Sequence, residues 1–209
     1  MAVWRYVHFE HQEAQRLADL NGISYDLELV VSMCERYRRT DYTASSDDLL
    51  LAQSLFFSAV VTYGRTLGSG VRSGVTRDQI RQLSEPLQHR HHYFKDIRDK
   101  FVAHSVNAFE ENSVKLYLTP EEHGERSVSS IGLGHSRIAA LSHMDIAGLQ
   151  ELAVAVLGIV KEEMDRERAR LLDFARSLPV DNFYNAPEPS TFSGDSASPA
   201  VARKRPGGG

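Results

Sequence analysis

The sequence contains a single cysteine among 209 residues. One cysteine excludes an intramolecular disulfide framework and any zinc site built from several cysteines. Cys34 lies in an apolar run without the neighbours of a catalytic nucleophile, so we predict that it packs in the core. Scarce cysteine also fits a reducing compartment, and we expect a cytoplasmic protein.

An excess of positive charge is lacking as well. The chain has 24 Lys and Arg residues against 28 Asp and Glu residues, which gives a net charge of −4. No global field therefore draws it to nucleic acid, and any RNA binding has to be local. The longest apolar run, 152–160, has nine residues, whereas a membrane span needs ~20. We expect no signal peptide and no membrane partner.

Common sequence signatures of enzymes are missing too. The chain has no G-x-x-x-x-G-K-[ST] phosphate loop, no H-E-x-x-H motif and no G-x-S-x-G nucleophile elbow. The sequence therefore does not indicate a P-loop nucleotidase, a zincin metalloprotease or an α/β-hydrolase.

Helical periodicity is present, and 42% hydrophobic residues are enough for a core. Apolar residues recur every three or four positions over 23–37, and a weaker helix before this segment is predicted to end at Asn21-Gly22. Ser46, followed by two acids, is an N-cap signal for a helix over 49–67. Because this run is apolar on most sides, it is predicted to be the central, most buried helix.

Further start signals follow along the chain. Thr76 is predicted to cap a helix of about two turns, and the segment Ser84-Glu85-Pro86 opens a helix over 87–105. Ser142 is predicted to cap the last helix, over 143–178. Its charged part, 161–176, is either a solvated helix face or a dimer seam.

A β-hairpin insertion is predicted at about 113–133, where apolar and polar residues alternate with a period of two. Five of the seven prolines lie in 179–209, together with Ser and Gly, so we expect this tail to be disordered. The predicted architecture is an all-α domain over 1–178 with about five main helices and the small hairpin insertion.

The helix over 87–105 carries the candidate site. Over 89–104 it reads H-R-H-H-Y-F-K-D-I-R-D-K-F-V-A-H, with four histidines and four basic residues against two acids. Such a locally cationic patch suits a phosphodiester. Arg98 and His104 stand six residues apart, ~9 Å along a helix axis and ~120° around it, a gap that a long Arg side chain closes. Asp99 can orient either group. The candidate RNA contacts are His89, Arg90, His92, Lys95 and Lys100.

The segment I-R-D-K-F-V-A-H-S resembles the R-x(4–6)-H motif of the HEPN superfamily, all-helical proteins that include many metal-independent ribonucleases of toxin, defence and RNA-processing systems. A weaker likeness in helical layout extends over 9–178. The resemblance implies that Arg98 and His104 are the catalytic pair, with Asp99 at the polar position that often follows the arginine. It also implies no cofactor, a site where two such helices meet in a homodimer, and a nucleotidyltransferase-like antitoxin as a partner in toxin systems.

Elementary chemistry favours the same arrangement. Cleaving RNA at its own 2′-hydroxyl needs a base for that proton, an acid for the leaving 5′-oxygen and a cation for the charge at phosphorus. One His and one Arg are too few, and a twofold axis would supply a second pair. Histidine suits both proton roles because its ordinary pKa, ~6.5, is near cellular pH, and arginine binds two phosphate oxygens at once. No metal is then required.

Two other interpretations stay open. A catalytically inactive module could bind RNA or a partner protein through the same helix face. A metal-dependent activity could instead use His89, His92 and Asp96, since positions 92 and 96 share one face of a helix.

Overall fold

The computed structural model describes residues 6–68, 72–102, 110–120, 122, 124, 126–137 and 141–186. The predicted fold class, all-α with a small β-hairpin, is confirmed. The elements in chain order are α1 (Gln15–Arg38), α2 (Ser46–Arg65), α3 (Arg77–Arg81), α4 (Glu85–Ile97), a π-helical turn (Arg98–Val102), β1 (Glu110–Leu118), β2 (Val128–Arg137), α5 (His143–Ser177) and α6 (Asp181–Tyr184).

The body of the molecule is built on α1, which packs against α5 on one side and against α2 on the other. Apolar side chains from these three helices are removed from water together and form one core. Cys34 belongs to it with 1% of its surface exposed, as predicted. Its fully buried members include Leu20, Ile23, Leu27, Val30, Phe56, Val60, Ile146, Leu149, Leu152, Val156 and Val160.

The predicted helix break at Asn21-Gly22 is wrong, because α1 continues through both residues. Glycine weakens a helix by roughly 1 kcal/mol relative to alanine. Here the position instead provides room: a Cβ atom on Gly22 would lie 3.2 Å from a guanidinium nitrogen of Arg72. A contact with a residue far along the chain therefore accounts for this glycine.

The prediction that the helix over 49–67 is the most buried is also wrong. Leu50 is 62% exposed and Val61 is 38% exposed on the face of α2 that points away from α1. The N-cap is Ser45 rather than Ser46, since the Ser45 hydroxyl accepts a hydrogen bond of 3.1 Å from the backbone N–H of Asp48. The central helix is α1.

The segment that carries the candidate site differs from a single regular helix. Thr76 caps α3 in a capping box with Gln79, as predicted. The α-helix α4 starts at Glu85, with Pro86 in its first turn, and ends at Ile97. Residues 98–102 continue it as a π-helical turn. The remainder of the predicted helix, to Ser105, lies outside the described residues.

The predicted hairpin is confirmed and is longer than expected. β1 and β2 pair antiparallel from Glu110 opposite Arg137 to Leu118 opposite Val128. In the described part of the chain, the main contacts of this ribbon are those between its own two strands. It is therefore an appendage of the helical body.

The last helix, α5, begins at the predicted cap, Ser142, whose hydroxyl accepts from the backbone N–H of Asp145 at 3.1 Å. Its charged part joins neighbouring elements, because Glu163 pairs with Arg16 at 2.6 Å. An 18-residue window of α5 has mean hydropathy 1.4, which a membrane span also shows, and 39% of it is buried within the protein. Core helices of soluble proteins meet the same criterion.

The segment after α5 is partly ordered. Asp181–Tyr184 forms the short helix α6, and the Phe183 ring meets Phe9 edge-on at 5.7 Å. The predicted disordered tail therefore starts too early at residue 179. Its greater part, 187–209, lies outside the described residues.

Candidate functional site

The helix α4 presents one face to the core and one to solvent. Phe94 and Ile97 are buried, and they fix the helix against the body of the molecule. Lys95 and Asp96 are exposed on the other side. Charged side chains on this solvent face are therefore held on a rigid element, which is the condition for placing them accurately.

Arg98 stands where α4 changes to the π-helical turn. Its aliphatic stem crosses α2 at Gly64, where a Cβ atom would come within 2.9 Å of Cγ of Arg98. Its Nη1 donates a hydrogen bond of 2.7 Å to Oδ1 of Asp99, and 48% of the side chain is exposed. The stem is thus held by α2, while the guanidinium remains open to a ligand from solvent.

Asp99 joins two cations of the site. Besides Arg98, it accepts a hydrogen bond of 2.9 Å from Nζ of Lys95 through Oδ2. The hydrogen bonds from Arg98 and Lys95 lower the pKa of Asp99 below its ordinary value, so the carboxylate stays charged. It therefore keeps the guanidinium and the ammonium group close together, as expected for a residue that orients Arg98.

His104 lies outside the described residues, and its geometry relative to Arg98 stays a prediction. The structure describes the arginine, the carboxylate and the lysine that precede it. These three side chains lie together where α4 passes into the π-helical turn.

Four of the five candidate RNA contacts are exposed side chains on α4 and on the turn that follows it. His92 and Lys95 line a groove between α4 and α3. Lys100 pairs with Asp96 at 3.2 Å, and His89 is exposed. These positions lie along the solvent side of the helix.

Arg90 does not join this set. Its side chain lies over Gly148 of α5, where a Cβ atom would come within 3.0 Å of Nε, and it pairs with Glu151. The structure therefore places Arg90 at the contact between α4 and α5, away from the groove that His92 and Lys95 line. Sequence reasoning had no means of finding Glu151, because 61 residues separate the two.

His91 is the buried member of the histidine cluster. Its Nδ1 shares a hydrogen bond of 2.8 Å with the hydroxyl of Tyr63, which is fully buried. Burial, followed by the charges of His92 and Lys95, lowers the pKa of His91 to about 4. At neutral pH the imidazole is therefore uncharged, and it supports the groove from below rather than attracting phosphate.

Sequence reasoning missed two arginines near the site. Arg77 and Arg81 line the groove from α3, opposite His92 and Lys95. Their spacing of four residues directly after the Thr76 cap was visible in the sequence and puts both on one side of a short helix. The packing of α3 beside α4, which makes them part of the same groove, was not visible.

Nothing in the described residues forms a metal site: no three His, Cys, Asp or Glu side chains there are arranged to hold an ion. His89, His92 and Asp96 all belong to this described part, so the structure does not bring them together as ligands. The metal-dependent alternative consequently has no geometric support.

Comparisons of the chain with protein-family models, with curated proteins and with solved structures give no match.

Proposed function

We propose that this protein is a metal-independent endoribonuclease of the HEPN type that acts as a homodimer in the cytoplasm. Arg98 and His104 are the catalytic residues, and Asp99 positions Arg98. The observation that supports the proposal best is the setting of Arg98: its stem is fixed on Gly64, its guanidinium is held by Asp99, and its outer part is open to solvent.

The proposed chemistry is a transesterification within RNA. One His104 removes the proton of a 2′-hydroxyl, and the 2′-oxygen forms a bond to the adjacent phosphorus. The bond from phosphorus to the 5′-oxygen breaks, and the second His104 protonates that oxygen. Arg98 stabilises the charge on the phosphate oxygens with its planar fork of donors. The products are a 2′,3′-cyclic phosphate and a 5′-hydroxyl end.

RNA cleavage by wild type and three variants in EDTA tests this proposal. Wild type is expected to cut a fluorescent RNA, whereas Arg98→Ala and His104→Ala lose at least a hundredfold in rate, because each removes a transition-state contact. Arg176→Ala is the matched control, since this exposed arginine lies near the end of α5 and, within the described residues, its ion pair with Asp173 is long at 3.8 Å. Equal cleavage by all four proteins would eliminate the assigned roles.

Toxicity is a further expectation of this proposal, and it rests on the family resemblance. Expression of wild type is expected to arrest bacterial growth, and expression of His104→Ala is not. A nucleotidyltransferase-like antitoxin is the proposed neutralising partner. Equal growth of the two strains would contradict the toxin role.

A second candidate is an RNA-binding module without turnover. It is favoured by the cations around the α3–α4 groove, which need no contribution from His104 to attract phosphate. RNA binding that survives both substitutions, together with no cleavage product from wild type, would support this second candidate against the first.

A further inference from the structure

A groove runs between α3 and α4 beside the proposed catalytic residues. Its volume is about 760 Å³, enough for a nucleotide. Eleven residues from α3, α4 and the segment before α3 line it. They include Val75, Arg77, Ile80, His91, His92 and Lys95.

The rim of the groove is cationic. Arg77 makes no ion pair within the described part of the chain, so its charge is available to a ligand. Arg81 pairs with Asp78 at 2.8 Å, but this pair is exposed and therefore weak. Lys95 adds a third cation, and Asp96 is the one acid among the described residues that line the groove. Phosphate is the ligand group that such a rim suits.

The floor of the groove is apolar. Val75 and Ile80 are buried beneath it, and the uncharged imidazole of His91 closes it beside α4. The exposed ring of His92 meets His91 edge-on at 5.2 Å, so one of its faces is open to stacking. A flat heterocycle fits between such a floor and ring, because unpaired bases stack on exposed rings.

The groove connects directly to the proposed catalytic arginine. Lys95 lines the groove and donates to Asp99, which accepts from Arg98 through its other oxygen. A phosphate at Arg98 and a phosphate at Lys95 would therefore be neighbours along one strand.

We propose that this groove binds the base and phosphate of an unpaired nucleotide next to the bond that is cut, and so selects single-stranded RNA. The proposal rests on the proposed function for the position of that bond. A base inside a duplex cannot enter the groove without leaving its stack, which costs a few kcal/mol.

The probe is a fluorescent single-stranded RNA of about ten nucleotides. Every protein used in the binding assay also carries His104→Ala, so that the RNA stays intact. Arg77→Glu is expected to weaken binding at least tenfold, because it reverses the charge of the unpaired rim cation. Arg176→Glu, the same charge change far along α5, is expected to weaken it less than twofold. With His104 present, Arg77→Glu is expected to raise KM for cleavage while kcat stays within twofold.

The outcomes separate this proposal from the function itself. If wild type cleaves RNA and Arg77→Glu has an unchanged KM, the groove proposal is overturned and the ribonuclease proposal stands. If RNA binding depends on Arg77 but wild type cleaves no RNA, nucleotide binding in the groove is supported and the ribonuclease proposal is overturned. Absence of RNA binding in wild type would overturn both. Equal binding of a duplex of the same sequence would overturn the selection of single strands.

An independent observation concerns the β-ribbon formed by β1 and β2. On one face of the ribbon, three apolar residues of β1 pair with three apolar residues of β2, so all six side chains share that face. Their exposed fractions run from 56% to 86%. The pairs are Val114 with Leu133, Leu116 with Ile131, and Leu118 with Val128.

The opposite face of the ribbon carries one lysine and one tyrosine among serines and glycines. Ser113 pairs with Gly134, Lys115 with Gly132, and Tyr117 with Ser130. An isolated two-stranded ribbon is marginally stable in water and needs a covered apolar face. None of the described helices packs extensively on it. Contiguous exposed apolar surface of this size marks an interaction site.

We infer that a second copy of this chain covers the apolar face. The face carries no charge, and its central pair, Leu116 and Ile131, has one apolar pair on either side, so a twofold axis sets apolar residues against apolar residues. The six side chains expose on the order of 700 Å² per copy, which gives a total burial of about 1,400 Å², within the range of stable interfaces.

The molecular mass in solution tests this inference and does not depend on cleavage. Wild type is expected to have the mass of two chains by sedimentation equilibrium, and Leu116→Asp the mass of one. Ser130→Asp, the same charge on the polar face of the same ribbon, is the matched control and is expected to stay dimeric. Helical circular dichroism shows whether each variant keeps its fold.

A mixing experiment identifies the occupant as a second copy. Leu116→Asp and Leu116→Lys are each expected to be monomeric, and their mixture is expected to contain dimers, because opposite charges then meet at the centre. A monomeric wild type would overturn the inference. So would a Leu116→Asp protein that keeps the mass of two chains, since the dimer would then form elsewhere.

Discussion

The side chain of Arg98 lies directly over Gly64 of α2, so closely that a Cβ atom at position 64 would sit 2.9 Å from Cγ of Arg98 and 3.2 Å from its Cδ. Gly64 is the penultimate residue of α2, in a part of the helix where alanine would otherwise be preferred. The glycine therefore keeps open the space in which the arginine stem rests, and it connects helix packing to the proposed site.

Gly64→Ala is predicted to separate stability from activity. The new methyl group forces the Arg98 stem out of its position, and RNA cleavage is expected to fall at least tenfold. The free energy of unfolding, measured with urea, is expected to stay unchanged or to rise by up to about 1 kcal/mol, because alanine is the better helix former.

Gly158→Ala is the matched control for this substitution. Gly158 also lies within a long helix, α5, and a Cβ atom there would have no described residue within 4 Å. It is expected to stabilise the protein to a similar extent while cleavage keeps its wild-type rate. Full activity in Gly64→Ala would show that the resting position of Arg98 on α2 is irrelevant to the reaction.

Asp99 is predicted to act by positioning Arg98 rather than by transferring a proton. Asp99→Asn removes the negative charge that Arg98 and Lys95 share. It is expected to lower kcat about tenfold, which corresponds to about 1.4 kcal/mol in the activation free energy. Stability is expected to change little, because the carboxylate is only partly buried. Asp99→Glu keeps the charge and is expected to recover part of the loss. A pH profile of kcat that is unchanged in Asp99→Asn distinguishes a positioning residue from a general acid or base.

Local sequence signals were sufficient for two of the helix caps. Thr76 and Ser142 cap the helices that follow them, because the capping hydroxyl and its backbone partner are three residues apart. The hairpin was likewise readable from strict alternation of residue type. Arg98 and Asp99 are adjacent in sequence, so their contact also required no knowledge of the tertiary structure.

Features that depend on distant packing could not be read from the sequence. The uninterrupted course of α1 through Gly22 is understood only when Arg72 is seen above it. Apolar periodicity in α2 did not indicate which face of this helix α1 covers. The prediction that α2 is the most buried helix was therefore wrong, and Leu50 is exposed. The approach of Arg77 to Lys95 across the groove also requires the placement of α3 beside α4.

His91 is predicted to make stability depend on pH in the mildly acidic range. Its pKa is about 4 in the folded protein because of burial, whereas an unfolded histidine has ~6.5. Between these values the unfolded chain binds a proton that the folded protein does not, so the free energy of unfolding falls as pH drops from about 6.5 to about 4. The loss has an upper bound of about 3 kcal/mol, since one pKa unit corresponds to about 1.4 kcal/mol.

The comparison with His91→Gln isolates this contribution. Glutamine does not titrate, and its carbonyl oxygen can accept a hydrogen bond from the Tyr63 hydroxyl. Urea unfolding at pH 7 and at pH 4.5 is expected to show a smaller difference in this variant than in wild type, because other groups titrate equally in both. An identical pH dependence of the two proteins would mean that His91 is accessible to protons in the folded state.

Asp26 and Arg72 form the ion pair that ties the segment before α3 to α1, and breaking it is predicted to be costly. Asp26 is buried, and one of its oxygens accepts a hydrogen bond of 2.7 Å from Nη2 of Arg72, while Arg65 stands 3.9 Å from the other oxygen. Among the described residues, Arg72→Ala leaves the carboxylate with this longer contact alone. The free energy of unfolding is expected to fall by about 3 kcal/mol.

Two further variants show whether the buried charge is the cause. Asp26→Asn in the Arg72→Ala background removes the uncompensated charge, and the double variant is expected to lose less stability than the two single losses added together. Arg168→Ala breaks an exposed pair with Asp165 three residues away, and it is expected to cost less than about 1 kcal/mol. Equal losses in Arg72→Ala and Arg168→Ala would show that burial of Asp26 does not strengthen its dependence on Arg72.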